Sequence, residues 1–297
     1  MTLTITLKGK LSALVIVLVL AFSVLAPLVY PVDPHGVNLD SLREPPGIFT
    51  GHLFSGHPLG TDQEGRDILS RLLEGGKISI SVSFLAALFA MTVGVSVGLV
   101  AGYRGGRTDT ALMALCDLIL AFPSLLLAIG VSVVLPPGTF TVMLAMASVG
   151  WASFARLIRG HVLVIKGSQF VDAARAVGAS GPRILWAHIL PQCMPLALTL
   201  MAVKLGGYII TEASLSFLGL GAQPPVATWG SMISQGMAYI YSAPWIAVLP
   251  GLAIALVAFC FNMLGEALGD SGAATNYWAE AAPALRPGKV GPDRQTP

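Results

Sequence analysis

Three ionisable residues, Asp117, Lys204 and Glu212, lie inside long apolar stretches of this 297-residue chain. A charge within a membrane span is costly, so it usually serves a transport path or a contact between subunits. Lys204 and Glu212 would stand about 12 Å apart along a helix and cannot pair directly. Each is therefore expected to face a translocation path or to pair with a second membrane subunit. Asp117 lies near the end of its stretch, where we expect it to be hydrated or paired with an arginine.

The histidines and cysteines show no metal-site or disulfide spacing. Imidazoles bind nickel and zinc readily, so a metal-handling segment remains an alternative for the three clustered histidines. Their spacing is irregular and no acidic cluster accompanies them, so we predict no metal site. The three cysteines are predicted to be small residues packed in apolar surroundings. The residues concerned are His35, His52, His57, Cys116, Cys193 and Cys260.

A catalytic constellation is also missing from the sequence. The phosphate-binding pattern G-x-x-x-x-G-K-[ST] does not occur, and the nearest fragment, at 76–79, lacks the first glycine. We therefore predict that the chain is not an enzyme, that it holds no cofactor and that ATP chemistry would belong to another polypeptide.

The composition is that of a membrane protein, with 55% hydrophobic and 11% charged residues. Soluble domains carry about 25% charged residues. The net charge of +2 gives no reason to expect nucleic-acid binding. The sequence thus predicts an all-α polytopic membrane protein in contact with lipid.

Apolar stretches near the ~20 residues that cross a bilayer predict six transmembrane helices. The first run is longer than the core of a cleaved signal peptide, so we interpret it as a retained helix. The predicted spans are 11–32, 78–103, 117–135, 140–158, 194–215 and 245–264.

The distribution of lysine and arginine predicts that both termini are cytoplasmic. Only Arg43, Arg66, Arg71 and Lys77 then fall outside. The residues placed inside are Lys8, Lys10, Arg104, Arg107, Arg156, Arg159, Lys166, Arg175, Arg183, Arg286, Lys289 and Arg294.

The spans divide the chain into five parts. These are a cytoplasmic N-terminus (1–10), the first helix (11–32), an external segment (33–77), a five-helix core (78–268) and a cytoplasmic tail (269–297).

Within the core, residues 216–244 are predicted to form an external loop with a short surface or re-entrant helix. Its aromatic residues suit an interfacial belt: Trp229, Tyr239, Tyr241 and the adjoining Trp245. Gly94, Gly98 and Gly102 have the spacing of a close helix contact, with a chance run of glycines as the alternative.

A polar segment between the fourth and fifth spans predicts a helix-turn-helix hairpin. Ser168 and Ser180 could cap its two helices, and Gly178 can adopt the positive φ that a sharp turn requires. Pro191 is expected to end the second helix. Exposed apolar groups on such a hairpin would suit docking into another protein, and an ordinary amphipathic loop is the alternative.

This segment, residues 167–191, resembles the EAA loop of ABC-importer permeases. The matching residues are Asp172, Ala173, Ala174, Gly178, His188, Ile189, Leu190 and Pro191. Asp172 stands where glutamate is commoner, which keeps the charge. The resemblance implies a cytoplasmic coupling helix that sits in a cleft of an ATP-hydrolysing subunit. For His188 we expect packing or capping.

Further motifs resemble the C-type permeases of dipeptide, oligopeptide and nickel importers. They are HPLGTD with GRD and SRL over 57–72, Asp117 with AFP at 121–123, LSFLGLG at 215–221 with the following PP and WG, and the PW, PG and FN pairs of the last span. Gly269 follows Leu268 where the family usually has an arginine, so we infer no family role for the residues at this end of the chain.

The resemblance implies a type I ABC-importer permease fold and a set of partners. These are two ATPase subunits that bind ATP and magnesium, a homologous B-type permease, an external solute-binding protein and a peptide-like substrate, at a bacterial or archaeal inner membrane. A nickel or nickel-chelate importer is the alternative within the family. An ion-driven secondary transporter and a membrane-embedded enzyme are alternatives outside it.

Overall fold

The computed structural model describes residues 6–47 and 56–270, without the side chains of residues 26, 27 and 29. His52 and nearly all of the predicted tail lie outside the described residues. Within the described ranges the regular structure is helical, apart from one isolated β-bridge between Thr61 and Asp67.

Nine helices of eight or more residues form the described bundle. They are α1 (Leu7–Val29), α2 (Ile68–Arg104), α3 (Gly106–Leu120), α4 (Ser124–Val134), α5 (Thr139–Lys166), α6 (Gln169–Ala176), α7 (Leu190–Phe217), α8 (Trp229–Gly236) and α9 (Trp245–Leu268). Helical turns at Leu39–Ser41, Gly181–Arg183 and Met237–Tyr239, and a π-helical turn at Ile184–Ile189, complete the described regular structure.

The predicted all-α fold with six spans is confirmed. Five described helices are long and apolar enough to cross a membrane. The bent pair of α3 and α4 provides the sixth span if it is counted as one. α2 begins at Ile68, ten residues before the predicted start of the second span, and Asp67 caps it by accepting from the Ser70 amide at 2.7 Å. The prediction that Pro191 ends a helix is wrong. The chain continues from the π-helical turn at Ile184–Ile189 into α7, and Pro191 lies in the first turn of α7.

The span predicted over residues 117–135 is not one helix. α3 and α4 meet at a bend of 91° across Ala121, Phe122 and Pro123. Proline has no amide hydrogen and disfavours a helical conformation at the residue before it, which accounts for the break. Hydropathy did not show this because both halves are apolar.

The predicted close contact at Gly94, Gly98 and Gly102 is confirmed. These glycines face α5, and the bundle's most extensive helix contact joins α2 to α5. A β-carbon at Gly98 would stand 2.6 Å from the Ala155 carbonyl oxygen, and one at Gly102 would stand 2.7 Å from Val162 Cβ. Neither separation can be tolerated, so glycine is required for the two backbones to approach.

Polar groups gather at the two ends of this bundle. One end holds residues 30–47 and 56–67, which we call the polar cap. The cap lies beside α8 and the start of α9, where Trp245 Nε1 donates to the Thr61 carbonyl at 3.2 Å. The opposite end holds the hairpin, residues 168–189. Both ends of the described chain lie at the hairpin end, because α1 runs from that end to the cap and α9 runs back from the cap.

Candidate functional site

The hairpin turns sharply at Gly178, which has φ +82°. The Gly178 amide donates to the Arg175 carbonyl at 2.9 Å, and the Ala179 amide donates to the Ala174 carbonyl at 3.0 Å. Such bonds close a helix with a left-handed residue. A β-carbon at Gly178 would meet no atom within 4 Å, so the requirement for glycine comes from the backbone and not from crowding.

The hairpin is anchored by one apolar face and exposes another. Val171, Ile184 and Ile189 are fully buried and belong to the main core of the bundle. By contrast, Val177 is 86% exposed and Trp186 is 59% exposed. Large apolar side chains held outward on a fixed base are typical of a protein contact surface.

The predicted motif residues surround this surface. Asp172 is exposed and accepts from Arg175 Nη1 at 3.0 Å on its own helix. The remaining motif residues range from half-buried to exposed: Ala173, Ala174, His188, Leu190 and Pro191. The structure thus brings the predicted loop residues together along one hairpin.

The predicted side-chain caps are wrong. Ser168 and Ser180 occupy the residues before their helices, but neither side chain caps the helix. The Ser168 hydroxyl donates instead to the Ile165 carbonyl at 2.6 Å, which also accepts from the Ser168 amide at 2.9 Å.

Polar contacts hold the base of the hairpin against α2 and α3. Lys166 Nζ donates to the Tyr103 carbonyl at 2.5 Å and lies over the Tyr103 ring. Arg159 binds both carboxylate oxygens of Asp109, at 3.0 and 2.6 Å. The part of α5 that precedes the hairpin is therefore bonded to both α2 and α3.

The three charged residues predicted inside spans have different environments. Asp117 on α3 pairs with Arg156 on α5, and both side chains are exposed. Glu212 is buried, accepts from the Ser216 hydroxyl at 2.7 Å and lies beside Ser79 of α2. Lys204 is half-buried and lines a cavity.

That cavity has a volume of about 400 Å³, is open on one side, and is lined by α3, α4, α5, α7 and α9 beside the 91° bend. Its polar lining includes Lys204, Tyr208 and Thr211 from α7, Ser153 from α5 and Asn262 from α9. Apart from Lys204 and Asn262, sequence reasoning missed these residues. Tyr208 follows Lys204 by one helical turn, and this spacing is the signal that could have identified Tyr208.

Asp62 is the centre of a buried network in the polar cap. Its Oδ2 atom accepts from Arg66 Nε at 2.7 Å and lies 3.4 Å from Arg71 Nε. Both guanidinium groups also donate to Gln235 Oε1 of α8, at 3.3 and 3.4 Å. Arg71 further donates to the Pro34 carbonyl at 3.2 Å. The motif residues of 57–72 thus join the cap to α2 and α8.

A second group in the cap surrounds Asp67. His57 Nδ1 and Asp67 Oδ1 are 2.9 Å apart, and the Tyr30 hydroxyl donates to the same oxygen at 3.3 Å. Burial and the Asp67 carboxylate raise the pKa of Tyr30 above its usual range. His35 lies 3.3 Å from Glu74, so the two described cap histidines each contact one carboxylate. Within the described residues no three histidine, cysteine or acidic side chains gather in a metal-binding group.

Trp229 does not belong to an interfacial belt as predicted. It is 2% exposed, and its Nε1 donates to the Leu72 carbonyl at 2.9 Å while its amide donates to Ser79 Oγ at 3.3 Å. Tyr241 is fully exposed, and its place in an interfacial belt stays a prediction. Trp229 is buried because α8 folds back against α2, α7 and α9.

The described bundle has an exposed hairpin at one end and a cavity with a polar lining among its helices, features that suit a membrane transport subunit. The chain belongs to the family described as "Binding-protein-dependent transport system inner membrane component", which matches residues 94–271. It is thus a permease subunit of an ABC importer, in which separate subunits hydrolyse ATP.

Curated relatives cover most of the chain. It is 40% identical to the glutathione transport system permease protein GsiD of Pectobacterium atrosepticum, over 88% of this chain and 84% of that protein. It is 39% identical to the oligopeptide transport system permease protein OppC of Bacillus subtilis, over 87% and 82%. It is 37% identical to the dipeptide transport system permease protein DppC of Haemophilus influenzae, over 89% and 90%.

A solved structure has the same fold. A chain from inward-facing conformations of the MetNI methionine ABC transporter matches with a TM-score of 0.52 and 16% identity, covering 67% of this chain and 96% of that chain. This similarity confirms the predicted type I ABC-importer permease fold.

Proposed function

We propose that this chain is the C-type permease of an importer for short peptides. Support comes from the relatives, whose names specify glutathione, oligopeptide and dipeptide transport at 37–40% identity. Glutathione is itself a small peptide, so the three names share one substrate class. None of them names a metal, and the nickel alternative is therefore not favoured.

We propose that the hairpin end faces the cytoplasm and the polar cap faces outward. The hairpin end carries most of the lysines and arginines of the described chain, including Arg104, Arg107, Arg159 and Lys166. Two of the cap-side arginines, Arg66 and Arg71, are buried and paired with Asp62. The exposed positive charge is therefore even more one-sided than a count of residues suggests, which supports the positive-inside orientation.

In this orientation the hairpin is the coupling element. The observation that carries this assignment is the outward display of Val177 and Trp186 on a base whose other face is buried in the bundle. An ATPase subunit would receive these side chains in a cleft. ATP and magnesium would bind to two such subunits and not to this chain.

Transport would then follow from movement of rigid parts. Closure of the ATPase pair would move the hairpin, and the bond of Ser168 to Ile165 would pass this movement to α5. Lys166 and Arg159 of α5 would carry it on to Tyr103 of α2 and Asp109 of α3. A homologous B-type permease would complete the pathway, and a solute-binding protein would deliver peptide at the polar cap. Such a change is a rigid-body transition between two packed states.

The test is purification of the chain from its native membrane in mild detergent, with identification of every polypeptide that is retained. We expect two ATPase subunits and a second permease, and ATP-dependent peptide uptake after reconstitution with the binding protein. A chain that purifies alone and transports solute without ATP would instead support an ion-driven transporter.

A further inference from the structure

The central cavity has a one-sided charge. Of the described residues that line it, Lys204 alone is charged at neutral pH, and the rest are apolar or neutral polar side chains. A cation in such surroundings attracts an anion more strongly than it would in water, because the dielectric constant is low. The cavity therefore favours a ligand with a negative group.

Lys204 has a free ammonium group in the described structure. No hydrogen bond or ion pair joins it to another described residue. Asp117 is paired with Arg156, and Glu212 is buried beside Ser216 and Ser79. Neither acidic residue pairs with Lys204 in the described structure, although Glu212 Oε2 has no hydrogen-bond partner of its own. A half-buried cation within a membrane span is stabilised by a counter-ion.

Tyr208 adds a second donor. Its side chain is 8% exposed, it lines the same cavity, and its hydroxyl has no hydrogen-bond partner in the described structure. A buried hydroxyl without a partner costs free energy, so an acceptor in the cavity would stabilise this group once it moves away from Gly150 of α5, against which it packs. Tyr208 follows Lys204 by four residues, which places both side chains on one face of α7.

The depth of the site excludes lipid headgroups as the source of the anion. Lys204 lies near the middle of α7, about 20 Å along the helix from either end at ~1.5 Å per residue. Headgroups lie outside a hydrocarbon core of about 30 Å. A solute that crosses the membrane can reach this depth.

We infer that the cavity receives the C-terminal carboxylate of the transported peptide, with Lys204 Nζ and the Tyr208 hydroxyl as its two donors. This inference rests on the proposed peptide function. It assigns the two ends of the peptide different surroundings, because the same cation repels a free α-amino group. Glu212, which could have attracted that amino group, lies outside the cavity lining.

The test uses the complete importer in proteoliposomes with saturating binding protein. The substrates are a synthetic mixture of tri- and tetrapeptides with free C-termini and the same peptides as C-terminal amides. Uptake is measured by mass spectrometry of the peptides inside the vesicles. We expect Lys204→Met to reduce uptake of the free acids about ten- to hundredfold, since a charge-assisted hydrogen bond is lost. Uptake of those amides that the wild type accepts should change less than about threefold.

Matched variants separate charge from structure. Lys204→Arg should keep most of the uptake, and Tyr208→Phe should reduce uptake of the acids severalfold without affecting the amides. Lys77→Met removes an exposed cation from α2 and should change neither. Lys204→Cys treated with 2-aminoethyl methanethiosulfonate regains a cation and should regain uptake, whereas the 2-sulfonatoethyl reagent should not restore it. The three native cysteines are buried, and treated wild type serves as the control.

The outcomes show whether the carboxylate site fails alone or together with the proposed peptide import. If the wild type takes up no peptide, the proposed function and the carboxylate site both fail. If the wild type transports peptides and Lys204→Met does so equally well, only the carboxylate site fails. Loss of the second permease from purified Lys204→Met would show a contact between subunits and would also overturn the site.

Discussion

The polar cap and the hairpin both carry the motif residues of this chain, yet they use them in opposite ways. In the cap, Asp62 and Arg71 are buried, and their charges are satisfied by each other and by Gln235. In the hairpin, Asp172 and Arg175 form one exposed pair within a single helix. A motif in the cap therefore preserves the structure of this chain, while a motif in the hairpin forms an exposed surface.

The same contrast holds for apolar residues. Trp229, which joins α8 to α2 at the cap end, is buried, and Trp186 in the hairpin is mostly exposed. An unpaired buried charge or a cavity destabilises the fold itself, whereas an exposed side chain affects mainly the partner that covers it. The predictions below separate these two consequences.

The largest effect is expected for Arg71→Met in the cap. Asp62 would lose one of its two cationic partners, and Gln235 and the Pro34 carbonyl would each lose a donor. Breaking a buried pair costs about 3–5 kcal/mol. Thermal unfolding followed by fluorescence-detected size exclusion should show a strongly lowered midpoint and a low yield. Lys77→Met, on the same helix but exposed, is the matched control and should unfold like the wild type. Equal midpoints for both variants would contradict the assignment of the network.

The two tryptophans test the contrast most directly. Trp229→Ala should lower the free energy of unfolding by about 3–5 kcal/mol, because it leaves a cavity and removes a hydrogen bond to the Leu72 carbonyl. Trp186→Ala should leave the unfolding midpoint unchanged and weaken ATPase binding by about 2 kcal/mol, or roughly 30-fold. Both are measured on the purified permease pair, by thermal unfolding and by ATPase titration. If Trp186→Ala destabilised the fold and left ATPase binding intact, the hairpin would not be a docking surface.

A smaller effect is expected for Gly178→Val. The substitution meets no neighbour, so its cost is the left-handed backbone conformation, about 1–2 kcal/mol and more for a β-branched residue. We expect the hairpin to lose its turn, with weaker ATPase retention and slower uptake, while the spans remain folded. Gly178→Asn is the matched control, since asparagine tolerates this conformation. Normal ATPase binding by Gly178→Val would remove the turn from the coupling element.

The smallest effect is expected for Asp172→Lys. Its exposed pair with Arg175 contributes only about 0.3–0.5 kcal/mol to the helix, so stability should hardly change. Reversal of the charge should slow association with the ATPase, most strongly at low salt, because an exposed charge at an interface acts chiefly on the association rate. Surface plasmon resonance at two salt concentrations measures this, with Asp172→Asn expected between the wild type and the reversal. Association rates that do not depend on the charge at this residue would place Asp172 outside the interface.

Local patterns predicted much of this molecule. Apolar stretches located the spans, the glycines of α2 indicated a close helix contact, and Gly178 marked the turn of the hairpin. These features depend on neighbouring residues along the chain, such as the length of an apolar run or the backbone freedom of one glycine.

Features that depend on distant contacts were predicted poorly. Trp229 resembles an interfacial residue in the sequence, and only the packing of α8 against α2 shows that it is buried. The 91° bend before α4 was missed because hydropathy averages over both halves of the span. Pro191 was expected to end a helix, yet it lies within the first turn of α7.

The sequence by itself determined that this chain is a six-span membrane protein with a polar hairpin between two spans, because hydropathy, charge bias and turn residues act over short distances along the chain. Only the tertiary structure decided which polar residues are partners and which remain available. Asp62 and Arg71 meet because the cap folds onto α2, and Lys204 and Glu212 differ because α7 turns one towards the cavity and the other towards α2. The rotation of a helix is set by all of its packed neighbours together, and no segment of sequence contains that information alone.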